Sequence, residues 1–135
     1  MKSPVLIAMF FLLCYGGGIS QTQKAIASPL EVVNQRMDHY NHHYFEKFIN
    51  LYSDSVRVYT YPDIFLASGK DNLESIFKPK FSSKSIQVKI ITQITNGNYV
   101  VNQELVTESG VDTKYVSIYE VRDGLITTVR FIRDY

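Results

Sequence analysis

The second half of the chain constrains the fold most. Four runs rich in β-branched and aromatic residues, Ser85–Thr95, Tyr99–Glu108, Thr113–Arg122 and Leu125–Arg133, follow one another with only short separators. The separators are Asn96-Gly97, Ser109-Gly110 and Asp123-Gly124, each with a glycine able to take the positive φ that tight hairpin turns demand. No room is left between these runs for crossover helices. The spacing therefore predicts a four-stranded antiparallel meander rather than a parallel α/β sheet.

The first half reads as helical. Ser28-Pro29-Leu30-Glu31 forms a capping box with proline at the first helical position, and Leu30, Val33, Met37 and Tyr40 then recur at helical spacing as far as Asn41. Asn41-His42-His43 makes a joint, and a second helix places Phe45, Phe48, Ile49 and Tyr52 on one side. Val56–Tyr61 alternates as a strand that Pro62-Asp63 ends, and Ser68-Gly69-Lys70-Asp71 opens a short third helix stopped by Pro79. The order is helix, helix, strand, helix, then the meander. It predicts an α+β domain in which three N-terminal helices pack on one face of a curved antiparallel sheet, whose concave side, facing the first helix, forms a ligand cavity.

The N-terminus has the character of an export signal. Lys2 precedes an apolar run from Val5 to Tyr15, which is too short for a membrane-spanning helix and ends in Gly16-Gly17-Gly18. Small residues at Gly18 and Ser20 place cleavage before Gln21, giving a signal peptide over 1–20, a tether over 21–27 and a folded domain over 28–135. Leu13 stands where a small residue should precede an acylated Cys14, so lipidation is disfavoured. The expected location is periplasmic or extracellular. Cys14 is the single cysteine and would be lost with the signal, which excludes disulfides and thiolate metal sites from the mature protein. The 14 Lys and Arg face 13 Asp and Glu, and losing Lys2 balances them. A neutral chain with no basic run argues against nucleic acid and against an anionic membrane surface as partners.

The ordered set Tyr40-Asn41 through Phe48, Leu51-Tyr52-Ser53-Asp54-Ser55-Val56, Ser68-Gly69-Lys70-Asp71 and Ile118-Tyr119-Glu120-Val121-Arg122-Asp123-Gly124-Leu125-Ile126, with Val129 and Phe131, resembles the SnoaL-like and ketosteroid-isomerase-like branch of the nuclear-transport-factor-like superfamily. The resemblance covers nearly all of the segment after residue 20. It implies a cone-shaped α+β fold and commonly a homodimer formed through the outer face of the sheet. It does not imply one reaction, since this fold hosts enzymes, binding domains and transport factors. Aligned on Tyr52-Ser53-Asp54, the isomerase's carboxylate base falls on Thr60, its helix-one tyrosine on Arg36 and its second acid on Ser117. A threonine hydroxyl is no general base near neutral pH, so steroid isomerisation by that route is not expected.

Asn102 and Glu104 share a face of the second meander strand with Val106, and the resemblance turns this face into the cone. Burial of a carboxylate disfavours its charged form and suits it to proton transfer. The alternative is an outward face with Glu104 paired to a basic neighbour. Ser117 and Tyr119 share a parity on the third meander strand, Val58 and Thr60 on the first strand, and these positions with His39, Tyr40 and Phe131 complete the candidate pocket. His39 and His43 stand at i and i+4, a chelating spacing, but the break at Asn41 and the lack of an intervening acid favour a solvated joint over a metal site. No cofactor motif is present. Two functions stay open: an exported protein that binds a small apolar or polycyclic molecule, and an isomerase-, dehydratase- or cyclase-type enzyme with Glu104 as acid–base. N-terminal sequencing of the protein from its native host is expected to begin near Gln21, and a cytoplasmic species retaining Met1 would contradict export.

Overall fold

The computed structural model describes residues 24–133. The segment expected to be a signal peptide, the first three residues of the expected tether (21–23), and Asp134 and Tyr135 lie outside the described residues. Three helices, α1 (Pro29–Asn41), α2 (Phe45–Ile49) and α3 (Lys70–Ser83), accompany six strands. These are β1 (Tyr52–Thr60), β2 (Ile64–Ser68), β3 (Ile86–Asn96), β4 (Tyr99–Glu108), β5 (Val111–Arg122) and β6 (Leu125–Arg133). Among the described residues, no helix is long and apolar enough to cross a membrane.

The sheet departs from the expected curved, purely antiparallel one. It is a six-stranded mixed sheet in the order β2-β1-β6-β5-β4-β3, open at β2 and β3, and β1 runs parallel to β6. The absence of crossover helices within the meander fixes only the pairings of β3 to β6. It says nothing of the first strand, which docks beside the last one, with β2, α3 and strands β3 to β5 between them acting as the crossover. β2 was not expected at all. Its Ile64, Phe65 and Leu66 are all exposed, so it carries no alternation of apolar and polar residues to betray it. With both edges unpaired the strands do not close on themselves, and the helices cover the face instead.

The three meander hairpins form where the glycines place them. Ser109 and Gly110 have φ of 51° and 80°, and Asp123 and Gly124 have 51° and 77°, the paired left-handed geometry whose twist suits a two-residue hairpin. The capping box of α1 is also present: Ser28 Oγ accepts from the Glu31 amide at 3.3 Å, and the Ser28 amide donates to Glu31 Oε2 at 2.7 Å. Pro79, by contrast, does not stop α3, which continues to Ser83. A mid-helix proline forfeits a hydrogen bond and costs about 3 kcal/mol. Here the turn beyond it carries the buried Phe81, whose ring lies 4.8 Å from that of Phe48, 5.4 Å from Phe45 and 5.6 Å from Tyr40. This aromatic packing offsets the cost.

At the joint between α1 and α2, His42 is exposed and Asn41 and His43 are half-buried, and the joint is anchored to the sheet. The Asn41 side chain pairs with edge strand β3 as another strand would, accepting from the Val88 amide at 2.7 Å and donating to the Val88 carbonyl at 2.9 Å. His43, at φ 59°, sets its Nε2 2.9 Å from the Ile86 carbonyl. Polar joint residues thus occupy part of the free edge of β3 and fix α1 against the sheet. Asn41→Ala leaves both Val88 groups without these partners and is expected to destabilise the fold by about 1–3 kcal/mol, read as a lower urea midpoint at unchanged m-value.

Candidate functional site

A buried arginine organises the site. Helix α1 turns Val32, Val33, Arg36, Met37 and Tyr40 inward, and Arg36 is only 4% exposed. Its guanidinium carbon stands 5.1 Å from the ring centroid of Tyr119, 5.2 Å from Phe48 and 5.8 Å from Tyr40. Aromatic faces stabilise a desolvated cation in such positions. Arg36 Nε donates to the Tyr52 hydroxyl and Nη1 contacts Met37 Sδ at 3.6 Å. Burial alone would lower the Arg36 pKa, but the surrounding Tyr119, Tyr52 and Glu104 and the Tyr52 hydrogen bond outweigh it and raise it. The cation is permanent.

Strand β4 supplies the counter-charge. Alternation puts Val100, Asn102, Glu104 and Val106 on the helix-facing side, where Glu104 is 2% exposed. Register sets Asn102 opposite Ser117 and Glu104 opposite Tyr115 on β5, so Ser117 and Tyr119 reach Glu104 diagonally. Ser117 Oγ donates to Glu104 Oε2 at 2.9 Å; Tyr119 and Asn102 donate to Oε1 at 2.8 and 3.1 Å. Gln93 donates to Asn102 Oδ1 at 2.9 Å, which orients the Asn102 amide nitrogen toward the carboxylate. Among the described residues, Arg36 and Glu104 make no direct ion pair; Tyr119 links them, its ring against the guanidinium and its hydroxyl on the carboxylate.

Above this floor lies a cavity of about 170 Å³. Tyr40, Phe77, Val88, Val106 and Phe131 wall it, and Arg36 and Glu104 border its inner end. At the rim stand Ile76, Tyr115 and the Lys80–Glu108 ion pair, with Nζ 2.7 and 2.9 Å from the two carboxylate oxygens. An apolar chamber with a few convergent polar groups is the usual form of a small-molecule site.

Of the residues singled out from the sequence, Glu104, Val106, Tyr40 and Phe131 border this cavity. Asn102, Ser117 and Tyr119 instead brace Glu104 from behind. Val58 is core, and Thr60, opposite Phe131 in the sheet, lies off the cavity. His39 is also away from it: its Nδ1 has no hydrogen-bond partner and lies 3.7 Å from Asp38, and desolvation holds its pKa below 6.5. His42 is hydrogen-bonded to Asp38, which His39 also approaches, while His43 turns to the Ile86 carbonyl, and no group of three or more metal-capable side chains occurs among the described residues. Sequence reasoning missed Arg36, Ile76, Phe77, Lys80, Val88, Glu108 and Tyr115 as cavity residues. Arg36 carried a signal: it is a charged residue one position from Met37 and four from Tyr40, on the apolar face of α1.

The site's tyrosines make stability depend on alkaline pH. Burial raises Tyr52 and Tyr119 above the ordinary 10.0 and pushes Tyr40 up to about 12. A group whose folded pKa exceeds its unfolded one stabilises fully below the unfolded value and less as pH rises past it. The thermal midpoint is therefore expected to fall as pH rises above about 10, and Tyr40→Phe should flatten that fall; a slope unchanged by the substitution would contradict the assignment.

Residues 33–129 match the model of the SnoaL-like domain. No curated protein matches the sequence. Among solved structures, an NTF2-like protein of unknown function from Cytophaga hutchinsonii aligns with a TM-score of 0.71 at 13% identity, covering 83% of this chain and 94% of that one. An NTF-2 like protein of unknown function from Burkholderia xenovorans gives 0.68 at 17%, over 78% and 82%. A computationally designed 17-OHP binder gives 0.68 at 19%, over 80% and 91%. At these identities the likeness is one of fold alone. The match across residues 33–129 places the chain in the SnoaL-like domain family.

Proposed function

We propose that the chain binds a small, largely apolar molecule in the cavity between α1, α3 and the sheet. The observation that carries this reading is the chamber itself: apolar walls around about 170 Å³, ending on buried polar groups. That volume is close to the ~150 Å³ of an apolar cavity that accepts benzene, so it favours a ligand of about one ring over the polycyclic one considered from the sequence. The designed 17-OHP binder shows that the fold lends itself to small-molecule binding. Export before residue 21 and pairing of two copies through the face opposite the helices belong to the same reading. They are supported by the apolar run at Val5 to Tyr15 and by exposed Ile94, Tyr99 and Leu125.

A second reading is an enzyme of the isomerase, dehydratase or cyclase type with Glu104 as acid–base. It draws support from Glu104 facing inward, buried, beside hydroxyl and amide groups. The three hydrogen bonds that hold this carboxylate still favour binding over turnover, since a base must exchange such partners for a substrate proton.

Val106→Phe fills the chamber from its wall and separates ligand binding from folding. Affinity for a one-ring ligand is expected to fall by roughly tenfold or more while the far-ultraviolet circular dichroism is kept. Undiminished affinity would place the ligand elsewhere. For the second reading, Glu104→Gln is expected to abolish turnover with affinity held within about tenfold, and unchanged turnover would remove Glu104 from any catalytic role.

A further inference from the structure

We infer that the cavity selects an uncharged ligand of one-ring size that offers a hydrogen-bond acceptor to Arg36 and a donor to Glu104, and that it rejects anions and cations of the same shape. This rests on the binding reading above and adds the ligand's charge and polar pattern to it.

The donor side is Arg36. A guanidinium has five N–H groups and does not lose its proton in proteins. Nε is taken by Tyr52, and the sulfur of Met37 at 3.6 Å is a weak acceptor for Nη1. Among the described residues, no other protein acceptor meets this guanidinium, although its faces are covered by Tyr119, Phe48 and Tyr40. Arg36 lines the cavity, where a ligand acceptor can meet its remaining N–H groups. Tyr40 also lines the cavity and carries a further hydroxyl donor.

The acceptor side is Glu104. Every protein group that touches its carboxyl donates to it, two to Oε1 and one to Oε2. Each carboxylate oxygen accepts about two hydrogen bonds, which leaves one position open on Oε2. A ligand carrying a carbonyl beside an N–H or O–H matches this pattern.

The charge rule follows from the balance of the site. Arg36 and Glu104 cancel at the floor, and Lys80 and Glu108 cancel at the rim. A carboxylate would gain from Arg36 but meet Glu104, and an amidinium would meet the reverse. Either ion would bring an uncompensated charge against the buried floor of the cavity, where Arg36 and Glu104 are almost fully shielded from water and such a charge is strongly disfavoured. A neutral amide uses both partners.

Benzamide, benzoate and benzamidinium share one shape and differ in charge, so they test the rule directly. Dissociation constants would be measured by ligand-observed NMR titration near pH 7 with the unmodified protein, Val106→Phe and Glu104→Gln. Benzamide is expected to bind roughly tenfold or more tightly than either ion, and Val106→Phe to abolish that binding. In Glu104→Gln, where Arg36 stands alone, benzoate should overtake benzamide. Should benzoate or benzamidinium bind the unmodified protein as tightly as benzamide, in a manner that Val106→Phe removes, the charge rule is wrong while the binding site stands. Binding of none of the three that Val106→Phe weakens overturns the site, and the rule with it. If the Gln variant does not fold, the ranking in the unmodified protein and its loss in Val106→Phe still decide.

Discussion

One charge inside the core sets the terms for the rest of the structure. Arg36 sits on the inner face of α1, beneath the helix and against the sheet, with 4% of its surface exposed. An arginine cannot shed its proton to escape the cost of burial, so the protein must supply what water would have given. Three aromatic rings cover the guanidinium, Tyr52 takes Nε, and Glu104 lies on the facing strand. Glu104 has the same problem in reverse. Asn102, Ser117 and Tyr119 answer it by filling three of its acceptor positions.

The cavity is a consequence of this polar floor. Leucine or valine side chains packed directly onto Arg36 and Glu104 would strand their remaining hydrogen-bonding capacity, which costs more than leaving room for a polar partner. Apolar packing continues from Tyr40 and Phe48, which cover the guanidinium, into Phe45, Phe77 and Phe81, a cluster that joins α1, α2 and α3. The clamp of Asn41 on Val88 holds α1 at the edge of the sheet, so the space between helix and strands is preserved. Fold, floor and chamber are thus linked through α1.

What the sequence revealed follows how local each signal is. The capping box of α1 and the hairpins at Ser109-Gly110 and Asp123-Gly124 depend on neighbouring residues and were legible. Strand alternation also placed Asn102, Glu104 and Val106 on one face. The parallel pairing of β1 with β6 was not, because it joins segments some seventy residues apart and leaves no mark on either. Pro79 misled because helix propensity is a weak prior against the packing of Phe81. Arg36 was met only as the position aligned with an isomerase tyrosine. A lone charge on an apolar helix face reads as an exposed exception until the aromatic rings and the carboxylate that surround it are seen together.

Arg36 and Glu104 act as one unit although they make no direct ion pair. A double-mutant cycle measures that coupling, with unfolding free energies for the unmodified protein, Arg36→Met, Glu104→Gln and the double variant. Each single change strands the other charge and is expected to cost about 3 kcal/mol or more, with the double variant costing less than the sum by at least ~1 kcal/mol. Additivity within about 0.5 kcal/mol would show two independent residues and contradict the account.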